Sequence, residues 1–228
     1  WKIHPTLEAD QNPRYNSQFA RYGLGWFLTD AKGNMVVSHT GGLPGMLSKT
    51  VLIPDLNLGV VVLTNTEPGG SAFFSTVSQT LVDSYLGLDD GNWMEKNYEE
   101  LKQENESGDA ITAKVWKTVE SNKNSTIHKN DYLGVYEDPW FGKMEVFLNK
   151  GQLWMKSYRS PKLNGPMRFY KANTFAVKWE YQDMNADAFA IFSLDENGTP
   201  QELRLKGISP NIDFSFDFQD LRLTRVEK

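Results

Sequence analysis

The first 88 residues alternate between short apolar runs and turn-forming residues. Short turns between β-rich runs are typical of antiparallel strands, because parallel strands need long crossovers. A helix from about Ser71 to Leu86 follows, since apolar residues there recur at helical spacing. The predicted strands lie at residues 22–29, 35–39, 46–53 and 58–64. The helical stripe consists of Phe73 or Phe74, Val77, Leu81 and Tyr85. This pattern predicts an antiparallel sheet with one helix packed on it.

Residues 89–130 are rich in charge and predict a helical connector. Two helical patterns are visible, at about 94–101 and 111–119, and Ser107-Gly-Asp109 between them is a candidate helix cap. We interpret the charged positions as a solvated face.

Residues 131–228 keep a period of two between apolar and polar positions, which indicates strands with one buried face. About eight such runs, separated by turn residues, favour an up-and-down barrel or a strongly coiled sheet. The runs lie near 132–138, 140–148, 151–158, 166–170, 173–180, 187–194, 201–207 and 214–226. Aromatic side chains in such a barrel line a ligand cavity or, more often, simply fill it. The whole chain is therefore predicted to be α+β, with domains 1–88, 89–130 and 131–228.

The composition argues against several classes of function. Of 228 residues, 39% are apolar and 23% charged, and no apolar run approaches the ~20 residues needed to cross a bilayer. The net charge of −5 argues against a nucleic-acid partner. Without cysteine the chain has no thiol nucleophile or thiolate zinc site, and with three histidines and no H-E-x-x-H pair we expect no metal or cofactor.

The strongest local motif is His39-Thr40-Gly41-Gly42, where the second predicted strand is expected to end. Together with Tyr22-Gly-Leu-Gly-Trp26 before it and Leu58-Gly-Val-Val-Val-Leu-Thr-Asn65 after it, the motif resembles the C-terminal part of the serine β-lactamase-like hydrolases. That superfamily includes class C β-lactamases, D-alanyl-D-alanine carboxypeptidases, esterases and D-amino-acid peptidases. His39-Thr40-Gly41 resembles its third motif, which is Lys-Thr-Gly in many members and His-x-Gly in others.

The resemblance implies roles for these four residues. The strand would pair with the substrate backbone, and Gly41 and Gly42 would leave room for it. The N–H of Gly42 would be an oxyanion-hole donor, and Thr40 would offer its hydroxyl to a substrate carboxylate or carbonyl. His39 stands where many members have lysine.

Two motifs of this superfamily have no counterpart in the chain: the nucleophile motif Ser-x-x-Lys and the second motif Tyr-x-Asn. In the superfamily both precede the third motif, so we expect them upstream of Trp1, which is itself not a methionine. The sequence thus predicts a C-terminal fragment of a bacterial, extracytoplasmic serine hydrolase, periplasmic or secreted. We expect the fragment to be inactive without the N-terminal half of the hydrolase domain, and the parent enzyme to act on a small-molecule or peptide substrate.

The third predicted domain resembles an uncharacterised domain that commonly trails such hydrolases and is expected to form a lipocalin-like barrel. The resemblance rests on residues 132–142, 209–221 and 223–225, and it implies an accessory role. An alternative is a binding or oligomerisation module, in which the aromatic barrel holds a small ligand or caps a neighbouring active site. A homo-oligomer is then a possible partner state.

Overall fold

The computed structural model describes residues 13–67, 69–122, 127–182, 185–213 and 215–227. The chain divides into two compact units, Trp1–Gln103 and Glu104–Lys228. The domain limits expected from the sequence stay a prediction.

The first unit is built on a five-stranded antiparallel sheet in which consecutive strands are neighbours, as the short turns predict. Its strands are β1 (Ala20–Gly23), β2 (Trp26–Ala31), β3 (Asn34–Leu43), β4 (Met46–Ile53) and β5 (Leu58–Leu63).

Two strand predictions in this sheet are wrong. Residues 22–29 form a hairpin instead of one strand, because Leu24 and Gly25 both take positive φ angles, 52° and 82°. β3 does not stop before Gly41. It runs on to Leu43, since residues 37–43 stay paired with β4 and the chain turns only at Pro44-Gly45.

Helix α1 (Gly69–Tyr85) packs on β4 and β5. The buried core beneath it contains Val51, Ile53, Val60, Val62, Phe74 and Val82. The predicted stripe is right in part. Phe74 and Val77 pack on this core, but Leu81 and Tyr85 are exposed, as is the alternative Phe73. Ser78 is buried on the helix face that meets the sheet. Because serine is polar, apolar spacing alone does not identify this face as the buried one.

Helix α2 (Trp93–Ser121) is a single helix, although the sequence predicted a break at Ser107-Gly-Asp109. A Cβ on Gly108 would collide with the side chain of Asn211. The amide of Asn211 donates a hydrogen bond of 3.2 Å to the Glu104 carbonyl. Gly108 therefore serves close packing and does not end the helix.

The second unit contains a closed eight-stranded antiparallel barrel, which confirms the up-and-down arrangement of about eight strands. Each strand pairs with its successor, and the last strand pairs with the first. The strands are β6 (Gly134–Asp138), β7 (Gly142–Asn149), β8 (Gln152–Ser157), β9 (Asn164–Lys171), β10 (Thr174–Val177), β11 (Ala188–Leu194), β12 (Pro200–Gly207) and β13 (Leu223–Glu227).

Buried side chains form a core inside the barrel. The largest fully buried ones are Tyr136, Met144, Met155, Phe175, Trp179 and Phe192. The rings of Phe175 and Phe192 meet edge to face with centroids 5.7 Å apart, a favourable geometry for aromatic pairs. The aromatic content of this unit thus builds a core.

The last predicted strand begins too early, because β13 starts only at Leu223. Phe214 lies outside the described residues. Asp213 forms a turn, in which its Oδ1 accepts a hydrogen bond of 2.9 Å from the Ser215 N–H, and Phe218 is buried in a 3₁₀ turn. The period-two spacing of aromatic residues there comes from a looped segment that packs against the barrel core.

Candidate functional site

The four predicted site residues lie in a row on β3. β2 pairs with β3 only as far as Phe27 opposite Ser38. From His39 to Leu43 the opposite edge of β3 is paired with β4. In the part of the chain that the structure describes, the edge of this stretch on the β2 side has no partner strand. An edge of this kind can receive an extended peptide by strand addition.

Gly41 is held closely against β4. A Cβ at this position would lie 2.9 Å from Ser48 Oγ, and Ser48 donates a hydrogen bond of 3.3 Å to the Gly41 carbonyl. Thr40 is exposed at the same stretch and pairs in register with Lys49. Gly41 therefore has a local packing reason as well as the role that the resemblance implies.

His39 is fixed by two aromatic residues from the β1–β2 hairpin. Tyr22 Oη lies 3.2 Å from His39 Nε2, and the ring of Phe27 stacks on the imidazole with centroids 5.7 Å apart. Nδ1 of His39 is hydrogen-bonded to the carbonyl of Thr40. A carbonyl can only accept, so the neutral ring carries its proton on Nδ1, and Nε2 accepts from the Tyr22 hydroxyl.

Sequence reasoning placed Tyr22 in a family motif but gave it no role, and it did not single out Phe27. The signal was the Leu24-Gly25 turn, because a tight turn there folds Tyr22 back beside Phe27, with ring centroids 4.7 Å apart. Across the described ranges, no group of three or more His, Asp or Glu residues could hold a metal ion. None of the described helices is both long and apolar enough to cross a membrane.

The two halves of the chain match two different family models. Residues 5–80 match the Beta-lactamase family model. The first unit contains a β-lactamase-like segment. Residues 121–225 match a family described as a domain of unknown function, DUF3471, which covers the barrel. No curated protein matches the chain.

Solved structures similar to this chain include the following three. Two are crystal structures of SurE, one of them with D-Leu, each with 12% identity, a TM-score of 0.35 and 90% of this chain covered. The third is the octameric penicillin-binding protein homologue from Pyrococcus abyssi, with 16% identity, a TM-score of 0.28 and 91% of this chain covered. The match takes up only 37–39% of the length of those chains.

Proposed function

We propose that this chain is the C-terminal part of a serine hydrolase of the β-lactamase or penicillin-binding type, acting on peptide, ester or amide substrates. The observation that carries the proposal is the open edge of β3 from His39 to Leu43, within the segment that matches the Beta-lactamase family model. The nucleophile and its base belong to the part of the hydrolase domain that this chain lacks.

In this proposal the chain supplies one wall of the substrate cleft. The substrate backbone pairs along the open edge of β3, and the N–H of Gly42 stabilises the oxyanion that forms when the serine attacks. Thr40 offers its exposed hydroxyl to the substrate. The serine attacks the substrate carbonyl, the amine or alcohol leaves, and water then cleaves the acyl-enzyme ester to release the acid and restore the serine. The rest of the enzyme carries out both steps.

The outer face of the sheet supports the idea of a missing partner segment. Several apolar side chains on the face opposite α1 are exposed, among them Met46 54%, Leu52 36%, Val61 64% and Leu63 77%. Among the described strands, β5 has a neighbour on one edge only. Contiguous exposed apolar residues mark surfaces that contact other protein segments, and an unpaired strand edge can hydrogen-bond to another strand. We assign this face to the rest of the hydrolase domain.

The test compares this chain with the complete reading frame from which it derives. Both proteins are treated with a fluorescent penicillin and a fluorophosphonate, with boiled samples as controls. We expect covalent label on the complete protein and none on this chain. Heat-sensitive labelling of this chain alone would show that it carries its own nucleophile, and an unlabelled complete protein would remove the hydrolase assignment.

For the barrel we propose an accessory role and a lipocalin-like fold, with a binding or oligomerisation module as the alternative. Light scattering of the complete protein, with and without residues 131–228, measures whether the barrel holds copies together. Export to the periplasm or outside the cell follows from the resemblance, and fractionation of the producing cells tests it.

A further inference from the structure

Lys49 is a lysine without a counter-ion beneath a sheet. It projects from β4 toward α1, and its Nζ lies 5.5 Å from the centroid of the Phe74 ring. Among the residues that the structure describes, its ammonium makes no hydrogen bond or ion pair. Burial lowers the pKa of Lys49, because removal from water disfavours the charged form. An anion bound next to this ammonium would stabilise the buried positive charge.

A cavity of about 200 Å³ opens beside Lys49 in the first unit. Part of its wall is apolar and comes from the sheet and from α1, and part is polar. The apolar wall includes Val36, Val51 and Val82, and the polar wall includes Thr29, Ser38 and Lys49. The cavity therefore combines the positive charge of Lys49, the carboxylate of Asp30, hydroxyl groups and an aliphatic surface.

Asp30 also lines this cavity, but its carboxylate is already used. Its Oδ1 accepts hydrogen bonds from the N–H groups of Gln18 and Phe19, at 2.7 and 3.1 Å, and from the Ser17 hydroxyl at 3.1 Å. These donors help to hold the pKa of Asp30 below its usual value, although burial opposes them. Asp30 thus anchors the chain before β1 and leaves Lys49 unpaired.

We propose that this cavity binds a small aliphatic carboxylate, with its anionic group on the Lys49 ammonium and its tail against Val36, Val51 and Val82. Charge complementarity selects an acid over a neutral or cationic molecule. A cavity of roughly 150 Å³ holds a molecule of the size of benzene, so the volume fits a branched acid such as 3-methylbutanoate. The site is distinct from the four residues of the β3 motif and does not depend on the proposed hydrolase activity.

The test uses this chain as it stands and sodium 3-methylbutanoate as the probe. Calorimetric titration and thermal unfolding are compared with 3-methylbutanamide, the neutral isostere, and with sodium chloride at the same ionic strength. We expect the acid to bind and to raise the Tm of the first unit, because a ligand that binds only the folded state stabilises it. The amide and the chloride should do neither.

Lys49→Met is the decisive variant, and Lys102→Met, at an exposed position of α2, is its matched control. We expect Lys49→Met to bind the acid roughly 10- to 100-fold more weakly, the usual loss for one charge-assisted contact. Lys102→Met should bind like the wild type. Without ligand, Lys49→Met should melt at a higher temperature than the wild type, which shows that it folds.

Equal binding of the acid and the amide, or equal binding by the wild type and Lys49→Met, would overturn the proposal. A second variant, Ser38→Val, keeps the lysine and removes a hydroxyl, so it should weaken binding less than Lys49→Met does. The same titration on the complete protein separates the two sources of the carboxylate. Binding there supports a free acid as the ligand, whereas loss of binding only in the complete protein would overturn the proposal of a free acid.

Discussion

The carboxylate of Asp83 accepts a hydrogen bond of 2.6 Å from the indole N–H of Trp93. Asp83 is 1% exposed, and both of its carboxylate oxygens accept hydrogen bonds. Arg14 donates to its Oδ2 from two nitrogens at 2.9 and 2.7 Å, and the Tyr15 hydroxyl donates to its Oδ1 at 2.8 Å. This one side chain joins the segment before β1, the end of α1 and the start of α2.

Asp83→Asn is expected to destabilise the first unit by about 3–5 kcal/mol. The amide carries no charge for Arg14, and its NH₂ group would face donors that now meet a carboxylate oxygen, which leaves buried groups unpaired. Urea unfolding followed by far-UV circular dichroism measures the effect. Asp90→Asn, at an exposed position near the start of α2, is the control and should change the unfolding free energy little. A similar midpoint for both variants would show that Asp83 does not organise the unit.

Gly165→Ala is expected to destabilise the barrel by about 3 kcal/mol, since overpacking against fixed backbone cannot relax. A Cβ there would collide with the Lys178 carbonyl and lie 2.8 Å from Trp179 Cα. The control is Gly198→Ala, where φ is +79° and no atom lies within 4 Å of the added carbon. Strain alone should cost about 1 kcal/mol there. Thermal unfolding of the two variants compares the cost of the collision with the cost of backbone strain. Equal losses of stability would contradict the close approach of Gly165 to Lys178 and Trp179.

Asp138 makes the stability of the barrel depend on pH. Burial opposes its charge, but the N–H groups of Arg222, Phe141 and Trp140 outweigh burial and hold the pKa of Asp138 below its usual value. The stabilisation is therefore complete above the unfolded pKa, near 4, and is lost as the pH falls through the lower folded pKa. Asp138→Asn should cost about 1–3 kcal/mol at pH 7, because its NH₂ would face the Arg222 N–H. Urea titrations between pH 2 and 7 should show this difference shrinking below about pH 4.

Asp187→Asn is expected to behave in the opposite way. Burial raises the pKa of Asp187, despite hydrogen bonds from Gln182, Trp179 and Trp116 and attraction to Lys178. A raised pKa means that the charged form at pH 7 weakens the fold and that this cost falls as the pH drops through the folded pKa. One oxygen, Oδ1, accepts the hydrogen bonds from Gln182 and Trp179, and asparagine keeps it. The variant should be at least as stable as the wild type at pH 7. A large loss of unfolding free energy in urea would contradict this expectation.

His39→Ala separates stability from activity. The ring is only half-buried at a strand edge, so its removal should cost this chain less than about 1 kcal/mol. In the complete protein we expect His39 to contact the bound acyl group or its carboxylate, so the variant should lower kcat/KM by about 10²-fold. Tyr22→Phe, which keeps the ring and removes the hydroxyl, should have a smaller effect on rate. Full activity of His39→Ala in the complete protein would show that β3 does not carry the third motif.

The sequence predicted the barrel well, because alternation and hairpin turns are local signals and the closed barrel uses only neighbouring strands plus one closing pair. It failed at Phe216, where the same period-two spacing lies in a loop, and at Gly108, whose partner Asn211 is distant in sequence. The motif placed His39 to Gly42 on a strand. Neither the contact between Tyr22 and His39 nor the cavity beside Lys49 was accessible in this way, because both depend on which side chains the turns and the sheet register bring together.

The closing pair of the barrel, Tyr136 opposite Arg225, has a consequence for how this unit can be carried from one protein to another. Because β6 and β13 are antiparallel neighbours, the point where the chain enters the barrel lies beside the point where it leaves. Domains with adjacent ends tolerate insertion and circular permutation. The barrel can therefore be attached to a host domain, or inserted within one, through a single site on the host surface and with little disturbance of the host fold.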